Sequence, residues 1–211
     1  MYKKILIISP HTDDGELGCG GTISRFVREG VEIFYIALSD CQNAIPEGFD
    51  KEVLKNECLA ATRKLGILES NVEILSFENK NFNNYRREIF DTLESIKEKI
   101  VPDLTFVPCS FDTHQDHQVV NEESKRVFRR EYSLLGYEEP WNNITMTTNY
   151  FVTLNKEDIE TKVSSLHCYG SQSFQKKPYF SDEYIWGLAK TRGVQTSNLY
   201  AEAFEVIKQV I

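Results

Sequence analysis

Short apolar runs alternating with amphipathic segments constrain this chain more than any other feature. Residues 5–8, 31–38, 72–77 and 104–109 read as strands. Between them, residues 18–30, 50–64 and 85–100 read as helices; the first two close at Gly30 and Gly66, where glycine readily takes the left-handed conformation. Ile5-Leu6-Ile7-Ile8 has no polar interruption, as expected of a central strand covered on both faces. The third helix places Ile89, Phe90, Leu93 and Ile96 on one side. Four strand–helix alternations imply right-handed βαβ units, a mostly parallel sheet and helices on both faces.

Beyond residue 114 a helix is expected to about Arg130, then a polar loop with Gly136, Pro140 and Trp141. A strand at 150–154, a helix at 156–166 and a last strand at 203–207 follow. With 211 residues and no repeat or linker, the chain is expected to be one domain, 1–211. A net charge of −8 argues against general nucleic-acid binding, which needs a basic stripe. No apolar run approaches the ~20 residues of a membrane span, and the N-terminal run stops at Pro10 too early for a signal peptide. Five widely spaced cysteines (Cys19, Cys41, Cys58, Cys109 and Cys168) form neither a zinc ribbon nor a disulfide framework; reduced thiols in a cytoplasmic protein are expected.

Two clusters sit just past strand ends, where open α/β sheets bind ligands: Ser9-Pro10-His11-Thr12-Asp13-Asp14 and Thr113-His114-Gln115-Asp116-His117. Together they hold three of the four histidines, each near a carboxylate. His11, Asp14 and His117 make a two-histidine, one-carboxylate set that would leave coordination positions free, as catalytic zinc sites do. Asp13 remains free to take a proton from water. His114, three residues before His117, reaches over the site without needing to ligate, and Asp116 is suited to hold the second ring nitrogen of a histidine. The competing reading makes Asp13, Asp14 and Thr113 helix caps; two such clusters at equivalent strand ends favour the metal. His167 has no acidic neighbour in sequence and is taken as packed or surface. Gly18, Gly20 and Gly21 lack the G-x-G-x-x-G spacing of a dinucleotide site and are attributed to close helix packing.

The run Pro10-His11-Thr12-Asp13-Asp14-Gly15-Glu16-Leu17-Gly18-Cys19-Gly20-Gly21-Thr22-Ile23 resembles the opening signature of the PIG-L (LmbE-like) zinc-dependent N-deacetylases, and His114-Gln115-Asp116-His117 resembles their second motif. Glu57, Lys162, Ser171-Gln172 and the run from Tyr200 to Phe204 are smaller matches. The resemblance implies a Rossmann-like fold and removal of acetyl groups from amino sugars. It also implies zinc (or ferrous iron) on His11, Asp14 and His117, Asp13 as general base, and His114, assisted by Asp116, as oxyanion stabiliser or acid. Thr12, Gly15 and Leu54 depart from the family pattern; an arginine is usual at the last of these, so its substrate contacts do not transfer.

Sugars need planar donors and aromatic faces, so Arg86, Arg87, Trp141, Asn142, Tyr169 and Gln172 are candidate contacts for a small N-acetylated sugar. Self-association into a homo-oligomer is compatible with the sequence. A metal-dependent glycan-binding module, or hydrolysis of another bond on a sugar or nucleotide-sugar, is the alternative.

Overall fold

The computed structural model describes residues 2–210, save the side chain of Phe174. Seven strands, β1 (Lys4–Ser9), β2 (Glu32–Ala37), β3 (Val72–Ile74), β4 (Leu104–Pro108), β5 (Ser133–Tyr137), β6 (Tyr150–Leu154) and β7 (Tyr200–Lys208), form one sheet. Their order is β3-β2-β1-β4-β5-β7-β6, and β7 alone runs against its neighbours. The helices are α1 (Asp14–Arg28), α2 (Val53–Lys64), α3 (Arg86–Ile100), α4 (Gln115–Val127), α5 (Lys156–Leu166), α6 (Gly170–Phe174) and α7 (Asp182–Val194).

The pleat of β1 explains its unbroken apolar run. Ile5 and Ile7 enter the core under α1, α2, α5 and α7, whereas Leu6 and Ile8 enter the core under α3 and α4. All four side chains are fully buried. The chain winds outward from β1 through β2 to β3, then α3 returns it to β4 on the other side of β1. The crevice between the carboxyl ends of β1 and β4 is therefore the topological switch point, the expected ligand site in such a sheet.

The structure differs from the sequence reading in its second half. The segment taken as a polar loop contains β5, buried throughout and paired in parallel with β4. A Cβ on its Gly136 would lie 2.8 Å from the Cα of Cys109, so close strand contact accounts for that glycine. Helix α7 also escapes periodicity analysis, because its apolar residues Tyr184, Ile185, Trp186, Leu188 and Ala189 do not keep to one stripe. The last strand is longer than expected. All five cysteines are free and four are buried. No described helix is long and apolar enough to cross a membrane. His167 is exposed at the end of α5 and pairs with Asp182 at 2.7 Å.

Candidate metal centre and active site

The loop after β1 is held from below. Ser9 Oγ donates to the His11 carbonyl (2.5 Å) and accepts from Gly15 N–H (3.0 Å). The hydroxyls of Tyr35 and Tyr169 lie within hydrogen-bond reach of the Thr12 carbonyl, at 3.1 and 2.5 Å, and also of the buried carboxyl group of Glu16. Gly15 leaves room for the Tyr35 ring, which a Cβ would meet at 2.5 Å. This underpinning turns His11 and Asp14 toward the crevice, where the start of α4 delivers His117.

Three donor atoms meet there as a nearly equilateral triangle. His11 Nδ1 lies 3.1 Å from Asp14 Oδ2 and 3.2 Å from His117 Nε2, and His117 Nε2 lies 3.3 Å from Asp14 Oδ2. Tetrahedral donors about 2.0–2.1 Å from one zinc would stand roughly 3.3–3.4 Å apart, so the triangle fits one face of such an ion. The opposite ring nitrogens are engaged: Asp116 Oδ2 is 3.0 Å from His11 Nε2, and Asp112 Oδ2 is 2.8 Å from His117 Nδ1. Each carboxylate takes a ring N–H and leaves the other nitrogen's lone pair facing the triangle, the usual support of a metal-bound histidine.

The electrostatics call for a cation. Burial opposes the charged form of both rings, yet the neighbouring carboxylates outweigh it and raise His11 and, more strongly, His117. Burial likewise pushes Asp14 up, but His117 and His11 hold it well below the ordinary carboxylate range. Positive charge shared among these atoms is thus favoured, and a divalent ion would supply it.

Asp13 stands at the N-terminus of α1 without a side-chain capping bond, contrary to the capping alternative. Burial and then Asp14 raise its pKa, partly offset by Lys177 and His11. His114 caps α4: its Nδ1 accepts from Asp116 N–H at 3.2 Å, so the neutral ring carries its proton on Nε2. Burial, then the charges of His117 and His11, push its pKa down to about 4. At neutral pH, His114 is therefore a hydrogen-bond donor rather than an imidazolium. Asp116 reaches His114 only through the main chain; its carboxylate serves His11 and the N–H groups of Lys80 (2.5 Å) and Phe82 (3.2 Å).

Over these groups lies a cleft of about 320 Å³, lined also by Leu54, Trp141, Asn142, Gln172, Lys177 and Tyr179. Trp141 stacks on Tyr179, with ring centroids 4.1 Å apart and planes 12° apart. Trp141, Asn142 and Gln172 thus face the space where a substrate would sit. Three expected contacts do not. Arg86 is drawn away to Glu122 and Glu123 on α4, and Arg87 pairs with Asp91. Tyr169 is fully buried beneath the loop that follows β1 and supports it rather than facing the cleft.

Sequence reasoning missed Asp112 and Glu139. Asp112 stands five residues before His117, next to the motif. Glu139 follows the unrecognised β5. Its Oε2 lies 3.6 Å from His117 Nδ1 and accepts from Asn142, while its buried Oε1 has no hydrogen-bond partner. Burial, then Asp14, raise its pKa well above the ordinary range. Two further groups that overlap the triangle also lie close enough to share an ion among the described residues: His11, His114 and His117, and Asp14, His117 and Glu139.

The chain is similar to several known proteins. An uncharacterized deacetylase of Escherichia coli, YaiS, is 28% identical over 170 residues, covering 78% of this chain and 89% of its own. The diacetylchitobiose deacetylase of Thermococcus kodakarensis is 25% identical and covers 97% of this chain and 83% of its own. The solved N,N'-diacetylchitobiose deacetylase of Pyrococcus horikoshii superposes with a TM-score of 0.82 over 98% of this chain and 84% of its own, at 22% identity, which speaks for the fold. Residues 6–128, spanning both histidine clusters, match the PIG-L family, described as GlcNAc-PI de-N-acetylase, and the chain belongs to that family.

Proposed function

We propose that this protein is a zinc- or ferrous-iron-dependent hydrolase that removes the N-acetyl group from an amino sugar or its conjugate in the cytoplasm. The observation that carries this reading is the triangle of His11 Nδ1, Asp14 Oδ2 and His117 Nε2, with Asp13 uncapped beside it. A metal held there would acidify a water and polarise the amide carbonyl.

The chain's own groups do the rest. Asp13 takes one proton as the water oxygen bonds to the acetyl carbon, and returns it to nitrogen as the C–N bond breaks, releasing the free amine and acetic acid, which ionises to acetate in solution. His114 Nε2–H donates to the carbonyl oxygen as it gains charge, a contribution typically worth about 2.7–4 kcal/mol. The stacked pair of Trp141 and Tyr179 offers the sugar a flat apolar face, and Asn142, Gln172 and Lys177 offer polar partners.

A glycan-binding module would use the metal but have no need of Asp13. Incubating metal-loaded protein with a panel of N-acetyl amino sugars and measuring acetate tests the reading. Acetate release abolished by Asp13→Asn is expected. Absence of release from every sugar tried, with one metal bound per chain, would overturn the deacetylase assignment in favour of binding.

A further inference from the structure

Helix α1 is not one helix. At Cys19 the backbone leaves helical geometry (φ −142°, ψ 20°), separating a short first segment that begins with Asp14 from a longer second one. A break in a helix leaves carbonyls on one side and N–H groups on the other without their usual partners. In a continuous helix the Gly21 N–H would bond to the Leu17 carbonyl.

Here a buried ion pair from two distant elements serves both groups. Lys162 on α5 donates from Nζ to the Leu17 carbonyl at 2.6 Å and to Glu202 Oε1 at 2.6 Å. That same Oε1 accepts from Gly21 N–H at 3.0 Å, and Oε2 accepts from Thr22 N–H at 2.6 Å. Both side chains are more than nine-tenths buried. The glycine run makes room for them. A Cβ on Gly20 would stand 2.9 Å from Lys162 Cγ, and one on Gly21 would stand 3.2 Å from Glu202 Oε1 and 2.6 Å from a Leu154 methyl.

We propose that Lys162 and Glu202 are positioning residues for the metal centre. The pair splints the break in α1 and fixes the direction of the first segment, which carries Asp14 and follows directly from Asp13. An unbroken helix would make this pair unnecessary; a break with nothing across it would leave the ligand-bearing turn free to pivot. The inference rests on the metal reading above, and neither side chain touches the cleft's substrate space.

The test measures zinc affinity by competition with a chromophoric chelator, alongside the thermal stability of metal-free protein. Glu202→Gln and Lys162→Met break the pair singly. The double variant Lys162→Met/Glu202→Leu removes the same backbone partners but leaves no unpaired buried charge, and is the less destabilising way to break the pair. Ile100→Ala, a buried position at the far end of α3, serves as a control for loss of stability alone. Loss of zinc affinity by about 10–100-fold is expected in all three pair variants. The double variant should lose affinity even with stability regained, and Ile100→Ala should bind zinc as wild type does. A double variant with wild-type zinc affinity would overturn the positioning role. Wild-type protein that took up no zinc would overturn the metal reading, and the positioning role with it.

Discussion

Replacing Asp116 tests whether the metal-binding face is set by carboxylates behind the histidines. Its carboxylate accepts from three donors: Oδ2 takes His11 Nε2–H and Lys80 N–H, and Oδ1 takes the buried Phe82 N–H. In Asp116→Asn the amide oxygen can keep the Oδ2 position, so His11 stays oriented and one N–H, that of Phe82, meets an NH₂ group. An unsatisfied buried group costs about 1–3 kcal/mol. In a chain of this size that lowers the melting temperature of metal-free protein by roughly 2–12 °C. Asp116→Ala removes the acceptor of all three donors and frees the His11 ring to turn or to move its proton to Nδ1, the atom facing the ion. Zinc affinity should then fall about 10–100-fold, whereas Asp116→Asn should stay within about threefold of wild type. Chelator competition reads the affinities and calorimetry the stabilities. Equal zinc affinity in Asp116→Ala and wild type, or equal losses in the two variants, would refute the argument.

Four other outcomes are expected. Asp13→Asn should keep one metal per chain by elemental analysis while turnover drops about 10²–10⁴-fold. Trp141→Ala removes one ring of a stacked pair worth about 0.5–1.5 kcal/mol, so steady-state kinetics should show KM up roughly 2–10-fold with kcat little changed. Burial raises Glu16 to about 8, against 4.5 ordinarily, although Tyr35 and Tyr169 oppose the rise; between these values the folded state holds a proton the unfolded chain lacks. Stability of metal-free protein should therefore fall from pH 5 to pH 8, and thermal melts of Glu16→Gln should show a flatter profile. Gly18→Ala puts a Cβ 2.4 Å from the buried Tyr137 ring, and denaturant titration should show a loss of about 1–3 kcal/mol.

What could be read from the chain beforehand was local. The alternation around β1 to β4 and the two histidine clusters lie in short windows, and the switch-point rule brings their ends together. Residues whose roles depend on distant partners were not legible in that way. Asp112 looks like any loop aspartate until His117 turns its Nδ1 toward it. Lys162 and Glu202, 40 residues apart, stood out only as family matches; their task at a break in α1 needs the third dimension. Arg86 has the right chemistry for a sugar, but sequence does not say which way a helix face points, and α4 offers it two glutamates instead. Strand β5 was hidden because five residues interrupted by a glycine carry too little periodicity to be told from a loop.

The position of the centre at the switch point also bears on folding. His11 and His117 are 106 residues apart in sequence yet face one another at 3.2 Å. An ion joining them would act as a cross-link closing more than half the chain into a loop. A covalent bridge over about 100 residues would remove roughly 4.7 kcal/mol of unfolded-state entropy in the simplest chain model. Metal uptake would then hold the two halves of the sheet together at the seam between β1 and β4, so chelation would loosen the fold along the same line that forms the active site.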